Sequence, residues 1–393
     1  MSLKLAKTID TDQAAVEFQD DSSLSIPTLQ ILNQDGSLIE GADEPKLSRD
    51  HARKIYADML YIRLFDERML RAQRQGRLSF YLTCDGEEAA VAGTIAAFDS
   101  QDMVMAQYRE QVALRYRGFS TAQFMNQLFS NIDDVGKGRQ MPVHYGCREL
   151  NMMTISSPLA TQIPQAAGYA YGQKLNGRDA CTVCYFGEGA ASEGDFHAGL
   201  NMAAVLHCPV VFVVRNNGYA ISTPASQQFA TDGIAARGLG YGIKTIRVDG
   251  NDILAVYAAA TAARKIAIDE QRPVLIETMS YRLGAHSTSD DPSGYRSSEE
   301  ENEWRQLDPI GRMKNWLIAR NWWDEKADKA LQETYRSEIL AELKLAEKRE
   351  KPPLSSLVTD VYKTTPAHLV EQLQQLQNHI DKYPQQYVGQ ADH

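Results

Sequence analysis

One stretch of the chain has residue types and spacing suited to holding a phosphorylated ligand. Between Cys181 and Phe186 an apolar run reads as a β-strand, and it stops at Gly187-Glu188-Gly189. A helix-like stretch then reaches His207, a second apolar run spans Val210 to Val214, and that run ends at Asn216-Asn217. A strand that stops in a glycine-rich turn and opens a helix aims backbone N–H groups and the helix dipole at one point, which favours a phosphate. Glu188 in the turn and two side-chain amides after the next strand add hard oxygen ligands, the kind Mg²⁺ takes when it also coordinates substrate phosphates. A Rossmann dinucleotide site would place an acid ~20 residues beyond its glycines to hold the ribose. Here the second strand ends in Arg215-Asn216-Asn217, which favours a diphosphate with Mg²⁺ over a nicotinamide dinucleotide.

The elements that must position these residues are readable in order. Residues 1–46 are polar and weakly periodic, as expected of an extended arm packing on a partner or on the body. From Ser48 to Arg74 the apolar residues Ile55, Met59, Ile62, Phe65 and Met69 recur at helical spacing, and Gly76 ends the run. A small-residue helix follows Gly86-Glu87-Glu88 and reaches Ala97. Val104 to Ala106 is a short strand, with Gln107-Tyr108-Arg109-Glu110 beyond its carboxyl end, where open α/β sheets bind ligands. An Arg there suits a phosphate because its fork is bidentate. Gly136 to Pro142 reads as a basic, flexible loop. Ser157 at an N-cap and Pro158 at the first helical position predict a helix from Leu159 to Leu175, stopped by Asn176-Gly177. Later come a strand from Tyr241 to Val248, a helix capped by Asn251 and reaching Ile268, and a strand from Pro273 to Met279. Tyr281 to Asp291, with Pro292, reads as a mobile loop at the ligand end of the sheet. Alternating strands and helices predict a mostly parallel sheet covered on both faces. The division expected is an arm (1–46), an α/β diphosphate-binding domain (47–308) and a helical C-terminal region (309–393), broken at Lys351-Pro352-Pro353.

Composition narrows the partners. With 41 Lys and Arg against 51 Asp and Glu the net charge is −10, which argues against nucleic acid. No apolar run approaches membrane-spanning length. The first residues lack a secretory core and soon turn acidic, unlike a mitochondrial presequence. The expected compartment is therefore the cytoplasm, or the mitochondrial matrix for a chain already matured. The five cysteines are scattered and odd in number, as reduced thiols are. Cys181 and Cys184 form a C-x-x-C, but three residues apart on a strand they face opposite sides, so both read as core.

Gly187-Glu188-Gly189 followed by Asn216-Asn217 resembles the Gly-Asp-Gly…Asn-Asn signature of thiamine-diphosphate enzymes. Glu in place of the usual Asp is similar to the α subunits of branched-chain 2-oxo acid dehydrogenase E1 components, and the likeness extends from about Gln75 to Trp323. It implies the thiamine-diphosphate-binding fold. It also implies 3-methyl-2-oxobutanoate dehydrogenase activity: oxidative decarboxylation of branched-chain 2-oxo acids, then reductive acylation of the lipoyl group of an E2 core. By the same resemblance Glu188, Asn217 and the Tyr219 carbonyl hold Mg²⁺. Gln107, Tyr108, Arg109, Ser157, Gly189, Ala190, Arg215 and His286 contact the coenzyme. Gln107, Tyr108, Ser157 and Leu159 line the substrate pocket. A K⁺ ion is held by Ser156, Pro158, Thr161 and Gln162, where spacing alone shows a well-capped helix start. His286 is the catalytic candidate, aiding acyl transfer. Ala285 stands where mammalian members have a second His and is assigned nothing. Ser287 and Ser297 align with serines that a kinase modifies in mitochondrial members, although a serine in a polar loop is ordinarily only that.

The coenzyme's aminopyrimidine needs an apolar slot with a Glu, and the superfamily builds that slot from a second α/β domain. No second alternating series is present before residue 150 or after Asp291. The missing half is therefore expected from another chain, an E1 β subunit, in an α₂β₂ assembly. Two other readings are open: a sister E1 α acting on pyruvate or acetoin, and a catalytically dead scaffold that binds E2. Ser-Pro-Leu-Ala-Thr-Gln-Ile-Pro-Gln and His-Ser-Thr-Ser-Asp-Asp favour the branched-chain type over the first. Intact Glu188, Asn217 and His286 argue against the second.

Overall fold

The computed structural model describes Phe18 and residues 24–387. The amino-terminal residues on which the presequence expectation rests lie outside them. The strands are β1 (Thr28–Leu29), β2 (Met103–Met105), β3 (Thr182–Gly187), β4 (Val210–Asn216), a hairpin of β5 (Tyr219–Ala220) and β6 (Thr223–Pro224), β7 (Lys244–Asp249) and β8 (Val274–Met279). The α-helices are α1 (Arg49–Arg74), α2 (Glu88–Ala96), α3 (Gln111–Arg117), α4 (Thr121–Phe129), α5 (Gln162–Leu175), α6 (Gly194–Leu206), α7 (Ala225–Gln228), α8 (Ala235–Gly240), α9 (Ile253–Asp269), α10 (Ser298–Arg305), α11 (Pro309–Ala319), α12 (Glu325–Ala346) and α13 (Ala367–Lys382). Six strands form one sheet in the order β1-β7-β8-β4-β3-β2, and every pairing in it is parallel.

The sheet is parallel because its central strands are apolar on both faces. Every residue of β4 is buried, and so are the first five of β3 and of β8. Such strands need helices above and below. Alternation along β3 sends Val183 and Tyr185 into the layer under α1, α2 and α9, and Cys184 and Phe186 into the layer under α5 and α6. Cys181 and Cys184 accordingly lie in opposite layers, and all five cysteines are free and buried. Gly199 lets α6 approach α5 closely: a Cβ there would lie 2.8 Å from the Ile163 side chain.

Two helix starts differ from the sequence reading. Helix α5 begins at Gln162, not Leu159, because Ala160 takes a left-handed φ of 63° that no right-handed helix continues through. Pro164 then falls in its first turn, where a missing N–H costs little. Ser157 caps nothing; its hydroxyl meets His144 Nε2 at 2.7 Å. At α9 the cap is Asp252 and not Asn251. One Asp252 oxygen accepts from the N–H groups of Leu254 and Ala255. The other accepts from Ile31 and Leu32, both at 2.6 Å, and so fastens the segment carrying β1. Apolar residues of α11 and α12, including Trp316 and Leu343, share the core of the α1 layer. Among the described residues no helix is long and apolar enough to cross a membrane.

Candidate functional site

A cleft of about 210 Å³ opens at the carboxyl ends of β2, β3, β4 and β8. Gln107, Tyr108 and Arg109 come from the turn after β2, and Glu188, Gly189, Ala190 and Glu193 from the turn after β3. Arg215 ends β4, with Asn217 and Tyr219 beyond it, and Arg282 and His286 follow β8. Larger cavities of about 520, 530 and 640 Å³ lie elsewhere, but none gathers groups from several strand ends. Of the residues singled out above, Gln107, Tyr108, Arg109, Leu159, Glu188, Gly189, Ala190, Arg215, Asn217, Tyr219 and His286 share this wall. Ser156, Ser157, Pro158, Thr161 and Gln162 are not on it. Gln162 is buried behind, and its amide donates to the Tyr185 carbonyl at 2.9 Å.

Charge explains how the wall holds its shape. Arg109, Arg215 and Arg282 are each no more than 2% exposed. Arg215 donates through Nε to Glu110 at 2.7 Å and through Nη1 to Glu87 at 2.8 Å. The second Glu110 oxygen accepts from the backbone of Gln107 and Arg109, fixing the turn after β2. Burial pushes the Glu87 carboxyl up, but Arg215 and Arg109 outweigh it and hold its pKa below the ordinary value. Arg109 reaches the carbonyls of Thr83 and His286, and Arg282 the carbonyls of Tyr219 and Ile221.

Glu188 is different. It is 1% exposed, and its oxygens accept only long bonds, from Asn217 N–H at 3.3 Å and Gln228 at 3.5 Å. Burial raises its pKa, and the neighbouring Glu87 raises it further. A buried carboxylate with no cationic partner among the described residues fits a bound cation. Among the described residues no three His, Cys, Asp or Glu side chains gather as a metal cage. An ion here must therefore draw on amide, carbonyl and ligand oxygens as well, which is a donor set for a hard cation such as Mg²⁺, Ca²⁺ or Mn²⁺. Three buried guanidinium groups beside it, with the N–H groups opening the turn at Gly189 and Ala190, fit a diphosphate.

His286 stands at the rim with its ring edge-on to Tyr108, the ring centres 6.4 Å apart. Burial, then Arg109 and Arg282, lowers its pKa to about 4, so the ring is neutral near pH 7. Its Nδ1 faces Arg109 at 3.4 Å and Arg282 at 3.5 Å, both of which only donate. Nδ1 is thus the acceptor, and the proton sits on Nε2. The loop carrying His286 is tethered where the sequence reading had it mobile. Asp290 accepts from the His286 backbone and the Tyr295 hydroxyl, both at 2.7 Å, and buried Arg296 donates to the carbonyls of Arg282 and Gly284. Ser287 lies half-buried in this loop, whereas Ser297 caps α10.

The sequence reading gave no role to Glu87, Glu110, Glu193 or Arg282. The first two stand beside recognised motifs, but their partner Arg215 is 128 and 105 residues away in the chain. Only the place of Arg282, just beyond a strand, was a signal.

A parallel sheet with buried arginines and a buried carboxylate meeting at its strand ends is the arrangement of an α/β enzyme that binds its ligand beyond the strand ends. The chain belongs to the dehydrogenase E1 component family, which it matches over residues 56–355. It is 50% identical to the human mitochondrial 2-oxoisovalerate dehydrogenase subunit alpha over 363 residues, 92% of this chain and 82% of the relative. The corresponding subunit of Dictyostelium discoideum is 49% identical over 92% of this chain and 82% of its own. Subunit alpha 1 of Arabidopsis thaliana is 49% identical over 93% and 78%.

Proposed function

We infer that this chain acts as the α-type subunit of a branched-chain 2-oxo acid dehydrogenase E1 component, dependent on thiamine diphosphate. The observation that carries the assignment is the cleft itself: three buried arginines and a buried carboxylate that pairs with no cation among the described residues meet at four strand ends. Near-50% identity to 2-oxoisovalerate dehydrogenase α subunits supports the substrate class. The β partner, in an α₂β₂ assembly, and the lipoylated E2 core follow from the same reading.

When bound, the coenzyme's thiazolium supplies the electron sink for decarboxylation. The rest falls to the protein. Arg109, Arg215 and Arg282 neutralise the diphosphate, with N–H groups of Gly189 and Ala190. Glu188, the Asn217 amide oxygen and the Tyr219 carbonyl hold Mg²⁺. Gln107, Tyr108 and Leu159 bound the substrate side, with Ser157 approaching from the loop before α5. Ser156, Pro158 and Thr161 of that loop, with Gln162 at the start of α5, would hold K⁺. Neutral His286, with its N–H on Nε2, offers a hydrogen bond towards the lipoyl sulfur and so steadies the negative charge that develops there during acyl transfer.

The test is reconstitution with the β chain. CO₂ release should be faster from 3-methyl-2-oxobutanoate than from pyruvate, and Glu188→Ala should weaken Mg²⁺-dependent coenzyme binding about tenfold or more. A preference for pyruvate would replace the substrate assignment. Unchanged binding in Glu188→Ala would remove the Mg²⁺ site.

A further inference from the structure

We propose that Glu87 is a positioning residue for the metal end of the cleft: its carboxylate decides which end of the Asn217 amide faces the ion. This rests on the reading of Glu188, Asn217 and Tyr219 as the Mg²⁺ site. Glu87 immediately precedes α2, is wholly buried, and does not line the cleft. Its Oε1 accepts from Asn217 Nδ2 at 3.2 Å and from Arg215 Nη1 at 2.8 Å. Its Oε2 has no hydrogen-bond partner among the described residues and lies 4.0 Å from Arg109 Nε.

A side-chain amide has a donating and an accepting end of nearly the same shape. Only the oxygen can ligate a cation; the reversed amide would set its N–H groups against the metal. Glu87 Oε1, which already accepts from Arg215 Nη1, can only accept and so takes the nitrogen end. Asn217 Oδ1 is then left on the loop side, where it accepts from Tyr219 N–H at 3.2 Å. Both contacts demand the same orientation. The neighbouring residue is handled in the same way: buried Glu277 takes Asn216 Nδ2 at 2.8 Å, and Asn216 Oδ1 accepts from Gly218 N–H. Glu110 cannot substitute for Glu87, since its oxygens are occupied by Arg215, Gln107 and Arg109. Ligand-orienting partners of this kind typically change metal affinity by about 10–100-fold.

Two conservative variants separate reach from charge. Glu87→Gln keeps the length and an accepting oxygen but drops the charge. Glu87→Asp keeps the charge but is one methylene too short to meet Asn217. Each is reconstituted with the β chain and checked for folding by thermal melting. The Mg²⁺ dissociation constant is then measured by calorimetry at saturating thiamine diphosphate. Glu87→Asp should bind Mg²⁺ about tenfold more weakly, and Glu87→Gln within about threefold of the parent. The reverse order, equal weakening, or no change in either variant would overturn the proposal. Glu188→Ala serves as the control. If it leaves Mg²⁺ binding intact, the metal site itself is misread. If it abolishes binding while both Glu87 variants bind normally, only the role of Glu87 fails.

Discussion

Glu110→Gln tests whether the cleft is held by its carboxylates. Glu110 is 1% exposed and accepts from four N–H groups: Arg215 Nε and Nη2, and the backbones of Gln107 and Arg109. A glutamine fits the same space but turns one acceptor into a donor. Whichever way its amide rotates, two N–H groups face an N–H group across a dry contact. Each buried donor left unpaired costs about 1–3 kcal/mol. Arg215 also loses one of its two charge partners, and breaking a buried pair costs about 3–5 kcal/mol. The two figures describe overlapping losses, so the expected destabilisation is about 3–5 kcal/mol, with Glu87 preventing more. The assay is denaturant unfolding of the assembled α/β protein, with coenzyme binding measured in parallel. Destabilisation below about 1 kcal/mol, the range of an ordinary exposed ion pair, would refute the buried network.

Other outcomes follow from the same geometry. His286→Ala should lose lipoyl-dependent turnover while keeping much of its decarboxylation with an artificial electron acceptor at saturating coenzyme; equal losses would make it a binding residue only. In the ligand-free protein the His286 ring should titrate near 4, against an ordinary 6.5, and nuclear magnetic resonance should show that midpoint rise when a diphosphate binds. The unfolded chain takes up that proton below about 6.5 and the folded chain does not until about 4, so this group's contribution to stability is lost as pH falls across that window. Ser287→Glu should cut activity sharply and Ser287→Ala only mildly, because a charge beside His286 repels the diphosphate; a fully active Ser287→Glu enzyme would place the loop away from the ligand. The α chain alone should release no CO₂ until β is added, and a rate in α alone matching the mixture would point to a complete single-chain site.

The backbone of the fold was legible because it rests on short-range patterns. Apolar runs ending at Gly187 and Asn216 predict β3 and β4, and helical spacing from Ser48 predicts α1 within a residue. Helix α5 was misplaced because Ala160 adopts a conformation that its residue type does not announce. Strand β1 went unread because two residues carry no pattern; tertiary contacts through Asp252 hold that segment in place. The cleft was legible only as a set of ligand-facing groups. The acids behind them were silent, since a Glu that pairs with an Arg more than a hundred residues away looks in sequence like any surface Glu.

Those silent acids show what kind of site this is. Three buried arginines near an anion would bind it most strongly, on charge alone, with no carboxylate beside them. The protein instead sets Glu87 and Glu110 against Arg215, and lets them reach towards Arg109 and Asn217. Without these partners, buried guanidinium groups in the ligand-free chain would carry an uncompensated desolvation cost of several kcal/mol each, and would turn towards water. With them, the donors are fixed before the ligand arrives and need not reorganise when it binds. Net charge and preorganisation therefore predict opposite signs for Glu110→Gln. Removing a negative charge should tighten diphosphate binding if charge alone matters, and should loosen it if the carboxylate's role is to aim Arg215 and the turn from Gln107 to Arg109. The contacts around Glu110 favour loosening, because all four of its hydrogen bonds go to groups that shape the wall and none of its oxygens is left over for a ligand.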